Sequence, residues 1–126
     1  MKKYLGIDVG GGSIRGTIID KEGNSYFDFQ IPTNPNFSNK EFLDSIYTVV
    51  KHCLAAVPAD AIGIGTPGPI DIDTGIIISS ANLKNLNNVE LVAFVKETFH
   101  LPVYFNNDAN CASLGEYYFG EGQKAN

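Results

Sequence analysis

The sequence is poor in cysteine and in basic side chains, and each shortage excludes a class of protein. Among its 126 residues it has two cysteines, Cys53 and Cys111, without a CxxC spacing or an accompanying histidine cluster. This pattern excludes a zinc site within the chain and a disulfide framework, and it predicts reduced, buried thiols. Nine Lys and Arg residues against fourteen Asp and Glu residues give a net charge of −5. Such a balance excludes a general nucleic-acid surface, because phosphate backbones are held mainly by clustered basic side chains.

Long apolar runs are absent as well. No window of the sequence is long and clean enough to cross a membrane, so we expect no membrane partner. The lysines at positions 2 and 3 resemble the start of a signal peptide, but Asp8 interrupts the apolar stretch that follows them. We therefore expect no secretion signal and a cytoplasmic location. The length suits one domain with a core of its own.

The apolar patterns predict a mixed α/β domain that opens with three antiparallel strands. Segments 4–9, 13–20 and 25–31 have strand-like composition and are separated by glycine-containing turns. Ser38 and Glu41 have the spacing of a capping box, which predicts a helix that closes before Pro58.

The second half of the chain is predicted to alternate short strands and helices. We expect a buried strand at 61–65, a hairpin within 70–78, a helix capped by Asn88 and ending near His100, a strand at 103–105 and a helix at 109–119. Four phenylalanines have core spacing and are expected to pack rather than bind a ligand: Phe42, Phe94, Phe99 and Phe105.

Three loops rich in Gly, Pro, Asn and Asp follow apolar strands, at 8–13, 63–69 and 105–112. In the third loop, Asn107 and Asp108 are delivered to the mouth of a helix, where a carboxylate is poised to act on a hydroxyl. Together the three loops are typical of one half of a phosphoryl-transfer cleft. The alternative for Asp108 is a role as a helix cap alone.

Neither of the first two glycine-containing loops matches a common nucleotide-binding motif. A P-loop needs Lys and then Ser or Thr after its last glycine, whereas Thr17 and Ile18 follow Gly16. A GxGxxG spacing occurs at 63–68, but Pro69 and β-branched residues follow it instead of a helix.

What remains for Gly10, Gly11 and Gly12 is a hairpin turn whose bare N–H groups point outward and could cradle phosphate oxygens. A carboxylate beside a phosphate needs a cation between them, so Asp8 is a candidate Mg²⁺ partner, directly or through water. The alternative is that the glycines only form a tight turn, capped by Asp8.

The chain resembles the N-terminal domain of the ROK family, the repressor, open-reading-frame and kinase group of bacterial sugar kinases. Four features carry this resemblance, in order along the chain: Gly-Ile-Asp-Val-Gly-Gly-Gly at 6–12, Gly-Ile-Gly-Thr-Pro-Gly-Pro-Ile-Asp at 63–71, Asn82-Leu83, and Asn-Asp-Ala-Asn-Cys-Ala at 107–112 followed by Leu-Gly-Glu at 114–116.

The resemblance implies the actin-like, ribonuclease H-like ATPase fold and ATP-dependent phosphorylation of a hexose, amino sugar or glucoside hydroxyl. It makes Asp108 the catalytic base, and it makes Asn82, Asn107, Asp108 and the backbone around Gly68 the sugar-binding groups. The implied phosphate-binding residues are Asp8, Gly10, Gly11, Gly12 and Ser13, with Mg²⁺ at Asp8. Where the family usually has Thr and Lys after the two glycines, this chain has Gly12 and Ser13.

The resemblance also predicts how the domains are arranged. Residues 1–120 are expected to form the first of two lobes, and 121–126 to start the connection to a second lobe that is absent from this chain. That lobe would bring the adenosine pocket, further sugar contacts and a cysteine-rich zinc motif. We expect the 126-residue chain alone to have little kinase activity, because both lobes must hold the reactants. The family commonly forms homodimers.

Two other functions stay open. The first is a sugar-sensing transcriptional regulator of the same family, although a first strand at Tyr4 leaves no room for a preceding helix-turn-helix. The second is a non-catalytic actin-like ATPase module, which has no reason to carry the Asn107-Asp108 pair. For Asn82, the alternative to sugar contact is a simple turn residue.

Overall fold

The structure is a computed structural model that describes residues 2–10 and 12–107. Within them the chain forms eight strands and two helices, numbered here in chain order. Their bounds are β1 Lys3–Val9, β2 Ser13–Asp20, β3 Ser25–Pro32, α1 Asn39–Ala56, β4 Ala61–Gly65, β5 Ile70–Asp71, β6 Ile76–Ile77, β7 Val89–Glu90, α2 Leu91–Phe99 and β8 Val103–Asn106. The predicted helix at 109–119 and Cys111 lie outside the described residues.

A five-stranded mixed sheet forms the centre of the domain, in the order β3-β2-β1-β4-β8. The first three strands are antiparallel, as the sequence predicts, and β1, β4 and β8 run parallel to one another. All five residues of β4 are buried, which agrees with their uninterrupted small and apolar composition. Because parallel strands end at the same edge, the segments that follow β1, β4 and β8 meet there.

Helix α1 covers one face of this sheet. It begins with the predicted capping box, in which Ser38 Oγ accepts from the Glu41 N–H at 3.1 Å and the Glu41 carboxylate accepts from the Ser38 N–H at 3.0 Å. The helix lies close to β2, since a Cβ at Gly16 would come within 2.7 Å of Cys53 Sγ. Cys53 is buried as predicted, and that burial raises the pKa of its thiol to about 11.

A second, three-stranded sheet, in the order β5-β6-β7, was only partly predicted. The β5–β6 hairpin is present, but β7 was missed, and Asn88 does not cap α2. Asn88 has a φ of +50°, and the N-cap position belongs to Glu90, which makes no side-chain capping bond. Pairing of Val89 and Glu90 with β6 keeps the chain extended up to Leu91, and this long-range pairing displaces the local capping signal.

One main apolar cluster fills the space between the large sheet, the two helices and the small sheet. Phe42 and Phe105 are buried in it, and Phe94 and Phe99 pack against it from half-buried positions, so the prediction of packing roles is confirmed. Across the described ranges, neither helix is both long and apolar enough to span a membrane.

Candidate functional site

Three strand ends bring polar groups into one row. In the parallel pairings, Asp8 of β1 lies beside Gly65 of β4, and Gly65 lies beside Asn106 of β8. Asp8 is exposed, although the rest of β1 after Lys3 is buried. The exposed carboxylate therefore stands at the edge of an otherwise closed sheet, where the loops after β1, β4 and β8 begin.

The glycine turn after β1 is closed by its own backbone. The Gly10 N–H donates to the Ser13 carbonyl at 2.9 Å, so it points into the turn, which differs from the outward direction expected of it. The Gly12 carbonyl accepts from the Thr33 N–H at 3.1 Å, which ties the turn to the end of β3. A Cβ at Gly12 would meet nothing within 4 Å, so the backbone there is open to close approach. Gly11 lies outside the described residues.

The basic side chain across the sheet from Asp8, Arg15, forms an ion pair with another acidic residue. Arg15 is opposite Asp8 in the β1–β2 register and forms a two-nitrogen ion pair with Asp28 of β3. The Arg15 guanidinium, as a hydrogen-bond donor, holds the pKa of the Asp28 carboxyl below its usual range.

Asp8 is the exposed carboxylate at this edge of the sheet that is a candidate ligand for a divalent cation. No group of three or more His, Cys, Asp or Glu side chains is arranged for a metal in residues 2–10 and 12–107. A single exposed carboxylate beside an open turn nevertheless fits Mg²⁺, which usually keeps several waters and binds through one or two carboxylates together with substrate phosphates.

The side chain of Asn107 holds the loop after β4. Its Nδ2 donates to the Gly68 carbonyl at 2.7 Å and to the Thr66 carbonyl at 3.2 Å. Because both partners are acceptors, the orientation of the amide is fixed, with both hydrogens toward the loop and Oδ1 directed elsewhere. The Asn107 N–H donates to Asn106 Oδ1 at 2.7 Å, which completes a local turn at the end of β8. Asp108, the next residue, lies outside the described part of the chain.

Thr66 is held by its backbone and has an unpaired hydroxyl. Its N–H donates to the Asn106 carbonyl at 3.1 Å, while its own carbonyl accepts from Asn107. The residue is 1% exposed, and its Oγ1 has no hydrogen-bond partner among residues 2–10 and 12–107. No other buried side-chain nitrogen or oxygen in the described ranges is left unpaired. An unsatisfied buried hydroxyl is uncommon, and this one lies in a loop that the sequence singled out.

Gly68 connects this loop to the segment that carries Asn82. Its φ is +91°, and a Cβ there would lie 2.9 Å from the Ser79 carbonyl oxygen. The backbone at Gly68 therefore approaches Ser79 more closely than any other residue type would permit. Asn82, three residues after Ser79, is exposed, and its side chain makes no hydrogen bond to the residues described. Gly68 and Asn107 are thus in direct contact, while Asn82 lies on the adjoining loop.

A sequence model of the ROK family matches residues 4–126. The chain belongs to the ROK family. It is 32% identical over 127 aligned residues to a glucokinase of Halalkalibacterium halodurans, covering 97% of this chain and 38% of that protein. It is 31% identical over 122 residues to a xylose repressor of Caldicellulosiruptor bescii, covering 93% of this chain and 30% of that protein.

The fold of this ROK chain is that of solved ROK kinases. A ROK family glucokinase from Streptomyces griseus, in complex with glucose and AMPPNP, superposes with a TM-score of 0.75 at 31% identity, covering 96% of this chain and 38% of that chain. The fold is therefore the actin-like ATPase fold, as expected. The chain spans about a third of the length of the curated relatives that it matches, 30% and 38% for the two above.

The site of this ROK chain contains groups that sequence reasoning missed. Thr66 lies in the motif at 63–71, but the sequence assigns it no role, because a buried hydroxyl without a partner in the described residues has no sequence signature. Asn106 lies in the third polar loop, after the strand predicted at 103–105, and the sequence assigns it no role, although its backbone and side chain both support the site. An Asn-Asn pair directly after a strand is a turn signal that could have indicated it.

Proposed function

We propose that this chain is the first lobe of an ATP-dependent sugar kinase. The hydroxyl oxygen of the sugar attacks the γ-phosphorus of ATP, the bond from that phosphorus to the bridging oxygen breaks, and ADP leaves. The proton of the hydroxyl passes to the carboxylate of Asp108, the general base. The observation that carries this proposal is the attachment of Asn107 to Gly68 and Thr66, directly before Asp108.

That attachment supports the proposal because catalysis of this kind depends on position. A base must lie within hydrogen-bond reach of the proton that it takes, and small displacements reduce the rate strongly. Asn107 ties the end of β8 to the loop after β4, which holds the chain up to the residue that precedes the proposed base. Its Oδ1, turned away from the loop, is the acceptor that we assign to a sugar hydroxyl, and Asn82 and the Gly68 backbone contribute to the same pocket.

The phosphate side of the site is assigned to the turn after β1. Asp8, Gly10, Gly11, Gly12 and Ser13 would line the phosphates of ATP, with the open space at Gly12 allowing close approach. Asp8 would hold Mg²⁺, which when bound neutralises charge on the phosphates. The bond from the Gly10 N–H to the Ser13 carbonyl holds the two described ends of this turn together.

The remaining parts of the active site are proposed to come from a second lobe. Residues 1–120 would form the first lobe and 121–126 the start of the connection, in line with the third of each relative that the chain covers. The second lobe would supply the adenosine pocket and any zinc site, and the protein would work in the cytoplasm on small-molecule sugars, as a monomer or homodimer. The 126-residue chain alone is expected to turn over ATP far more slowly than the intact protein.

The test is coupled ADP release by the intact protein, with ATP, Mg²⁺ and a panel of hexoses, N-acetylhexosamines and β-glucosides. Sugar-dependent turnover should fall at least about 100-fold in Asp108→Asn, while sugar binding measured by calorimetry persists. Asp73→Asn, a change in the exposed β5–β6 turn, is the matched control and should leave turnover unchanged. Equal turnover by wild type and Asp108→Asn would refute the assignment of the base.

A sugar-responsive regulator is the second candidate, and the likeness to a xylose repressor favours it. A regulator needs a sugar pocket but no phosphoryl transfer. Sugar binding without ADP release from any compound of the panel would select this candidate over the kinase.

A further inference from the structure

The segment that carries Asn82 is a closed loop between β6 and β7. Its base is closed by the Asn88 N–H, which donates to the Ile78 carbonyl at 3.1 Å. Leu83 and Leu86 are 2% and 3% exposed, so the loop is anchored in the main apolar cluster on both sides of its tip. Asn82 precedes the first anchor and is exposed. The loop thus displays one amide on a backbone that is fixed from beneath.

Hydrogen bonds of two amide side chains, Asn39 in α1 and Asn85 in the loop, hold this loop against the start of α1. Asn39 Nδ2 donates to the Asn87 carbonyl at 2.8 Å, and Asn39 Oδ1 accepts from the Asn87 N–H at 3.1 Å. Asn85 Nδ2 donates to the Asn36 carbonyl at 3.0 Å, just before the helix. The paired bonds between the Asn39 side chain and the Asn87 backbone are called the amide brace below.

The opposite side of the loop is limited by Gly68. The Ser79 carbonyl sits where a side chain of residue 68 would be, and Gly68 is in turn bound to Asn107. The loop is therefore held between Gly68 on one side and the first turn of α1 on the other. A chain of direct contacts runs from Asn107 through Gly68 and Ser79 into the loop, and ends at Asn39.

We propose that Asn39 is a positioning residue for sugar binding, which acts through the amide brace to hold Asn82 at the sugar. The proposal rests on the kinase function proposed above. Asn39 satisfies both backbone groups of Asn87 at once, so the loop next to it has little freedom to shift along α1. The bonds of the brace involve neither Asn107 nor the described residues of the phosphate turn, so sugar affinity should change while the chemical step does not.

The experiment compares Asn39→Ala with Asn87→Ala in the intact protein. Asn39→Ala removes both bonds of the brace, whereas Asn87→Ala removes a neighbouring side chain but keeps the backbone atoms that the brace uses. We expect Asn39→Ala to raise the KM for sugar about tenfold, with kcat and the KM for ATP within about twofold of wild type. Asn87→Ala should leave all three constants close to wild type.

Hydrogen exchange separates a local effect from general unfolding. In Asn39→Ala the amides of residues 82–88 should exchange faster, while those of β1 and β4 keep their protection. A second variant, Asn39→Asp, keeps the acceptor for the Asn87 N–H but turns an oxygen toward the Asn87 carbonyl, and it should raise the KM for sugar as well.

The outcomes distinguish the two proposals. An unchanged KM for sugar in Asn39→Ala, or an equal rise in Asn87→Ala, overturns the positioning role and leaves the kinase standing. A fall in kcat with unchanged KM also overturns it. A wild-type protein that neither binds nor phosphorylates any sugar refutes the kinase function, and the positioning role with it.

Discussion

The amide nitrogen of Asn107 lies 2.7 Å from the carbonyl oxygen of Gly68, and this bond joins the end of the last described strand to the loop after β4. The same nitrogen reaches the Thr66 carbonyl at 3.2 Å, so both amide hydrogens serve the loop. An amide held in this way is structural and also presents an oxygen to the site. Asn107 therefore has a structural role that the sequence did not indicate, beside the ligand contact that we propose for it.

Asn107→Asp tests the role of the Asn107 side chain in holding the loop after β4. The substitution keeps the shape of the side chain but turns a carboxylate oxygen toward two carbonyl oxygens, so both bonds are lost and repulsion replaces them. We expect the free energy of unfolding to fall by about 1–3 kcal/mol. Urea denaturation measures it. Asn82→Asp, which changes an exposed amide without a described bond, should shift it by less than about 0.5 kcal/mol. Equal shifts in the two variants would contradict the role given to Asn107.

Gly68→Ala tests the close approach to Ser79. The new Cβ would lie 2.9 Å from the Ser79 carbonyl oxygen, at a φ of +91° that L-residues disfavour. Gly23→Ala is the matched control, since its φ is +88° but nothing lies within 4 Å of the Cβ position. The free energy of unfolding should fall by about 1 kcal/mol in both variants, because an L-residue is strained at this φ. In Gly68→Ala it should fall by at least about 1 kcal/mol more, because the new Cβ contacts the Ser79 carbonyl oxygen.

The measurement for this pair is the denaturation midpoint of each variant. Similar midpoints for Gly68→Ala and Gly23→Ala would show that Ser79 can shift without a measurable cost in stability. The contact between the two loops would then be too weak to position Asn82. Reduced sugar affinity in Gly68→Ala, with Gly23→Ala at the wild-type level, would connect the same contact to function.

Local patterns predicted the elements, and long-range contacts decided the site. The capping box joins Ser38 and Glu41, which are three positions apart, so the sequence alone specified where α1 begins. Strand β7 has two residues, too few to show a period, and it forms because Val89 pairs with Ile77. Asn88 is also beyond local prediction. It is a favourable capping residue, but the pairing of Val89 and Glu90 with β6 moves the start of α2 past it.

In the candidate site, too, local patterns predicted some features and long-range contacts determined the others. Three polar loops after apolar strands predicted a common edge, and the register of β1, β4 and β8 brings Asp8 into one row with Asn106. The bond of Asn107 to Gly68 spans 39 positions and the brace of Asn39 to Asn87 spans 48, so no pattern within one element could indicate either. An Asn at either place has the composition of an ordinary turn.

The unpaired hydroxyl of Thr66 leads to a stabilising substitution. Thr66→Val replaces a buried Oγ1 without a partner by a methyl group of similar size, which removes the penalty for keeping that oxygen from water. We expect the free energy of unfolding to rise by about 1 kcal/mol. Thr48→Val is the control, because the Thr48 hydroxyl donates to the Asp44 carbonyl at 3.0 Å, and it should bring no gain. A loss of stability in Thr66→Val would show that the hydroxyl has a partner in solution.

The turn between β2 and β3 should make the fold sensitive to acid through Asp20. This buried carboxylate accepts from the Tyr26 hydroxyl at 2.7 Å, from the Glu22 N–H at 2.9 Å, and from the Asn24 N–H and side chain at 3.0 and 3.1 Å. Hydrogen bonding, first of all from Tyr26, lowers the pKa of Asp20 to about 2, against the opposing effect of burial.

A carboxyl whose pKa is lower in the folded chain stabilises the fold in its ionised form. The contribution of Asp20 is therefore complete above the ordinary pKa of 3.8 and disappears as the pH falls from there through about 2. Asp20→Asn should be less stable than wild type at pH 6, and the difference should shrink between pH 4 and pH 2. Urea denaturation across this range measures the difference in the free energy of unfolding, with Asp73→Asn in an exposed turn as the control.

Tyr26→Phe removes the strongest donor, so the pKa of Asp20, followed by NMR, should rise toward its ordinary value. A difference between wild type and Asp20→Asn that stays constant with pH would mean that the carboxylate charge has no part in holding this turn.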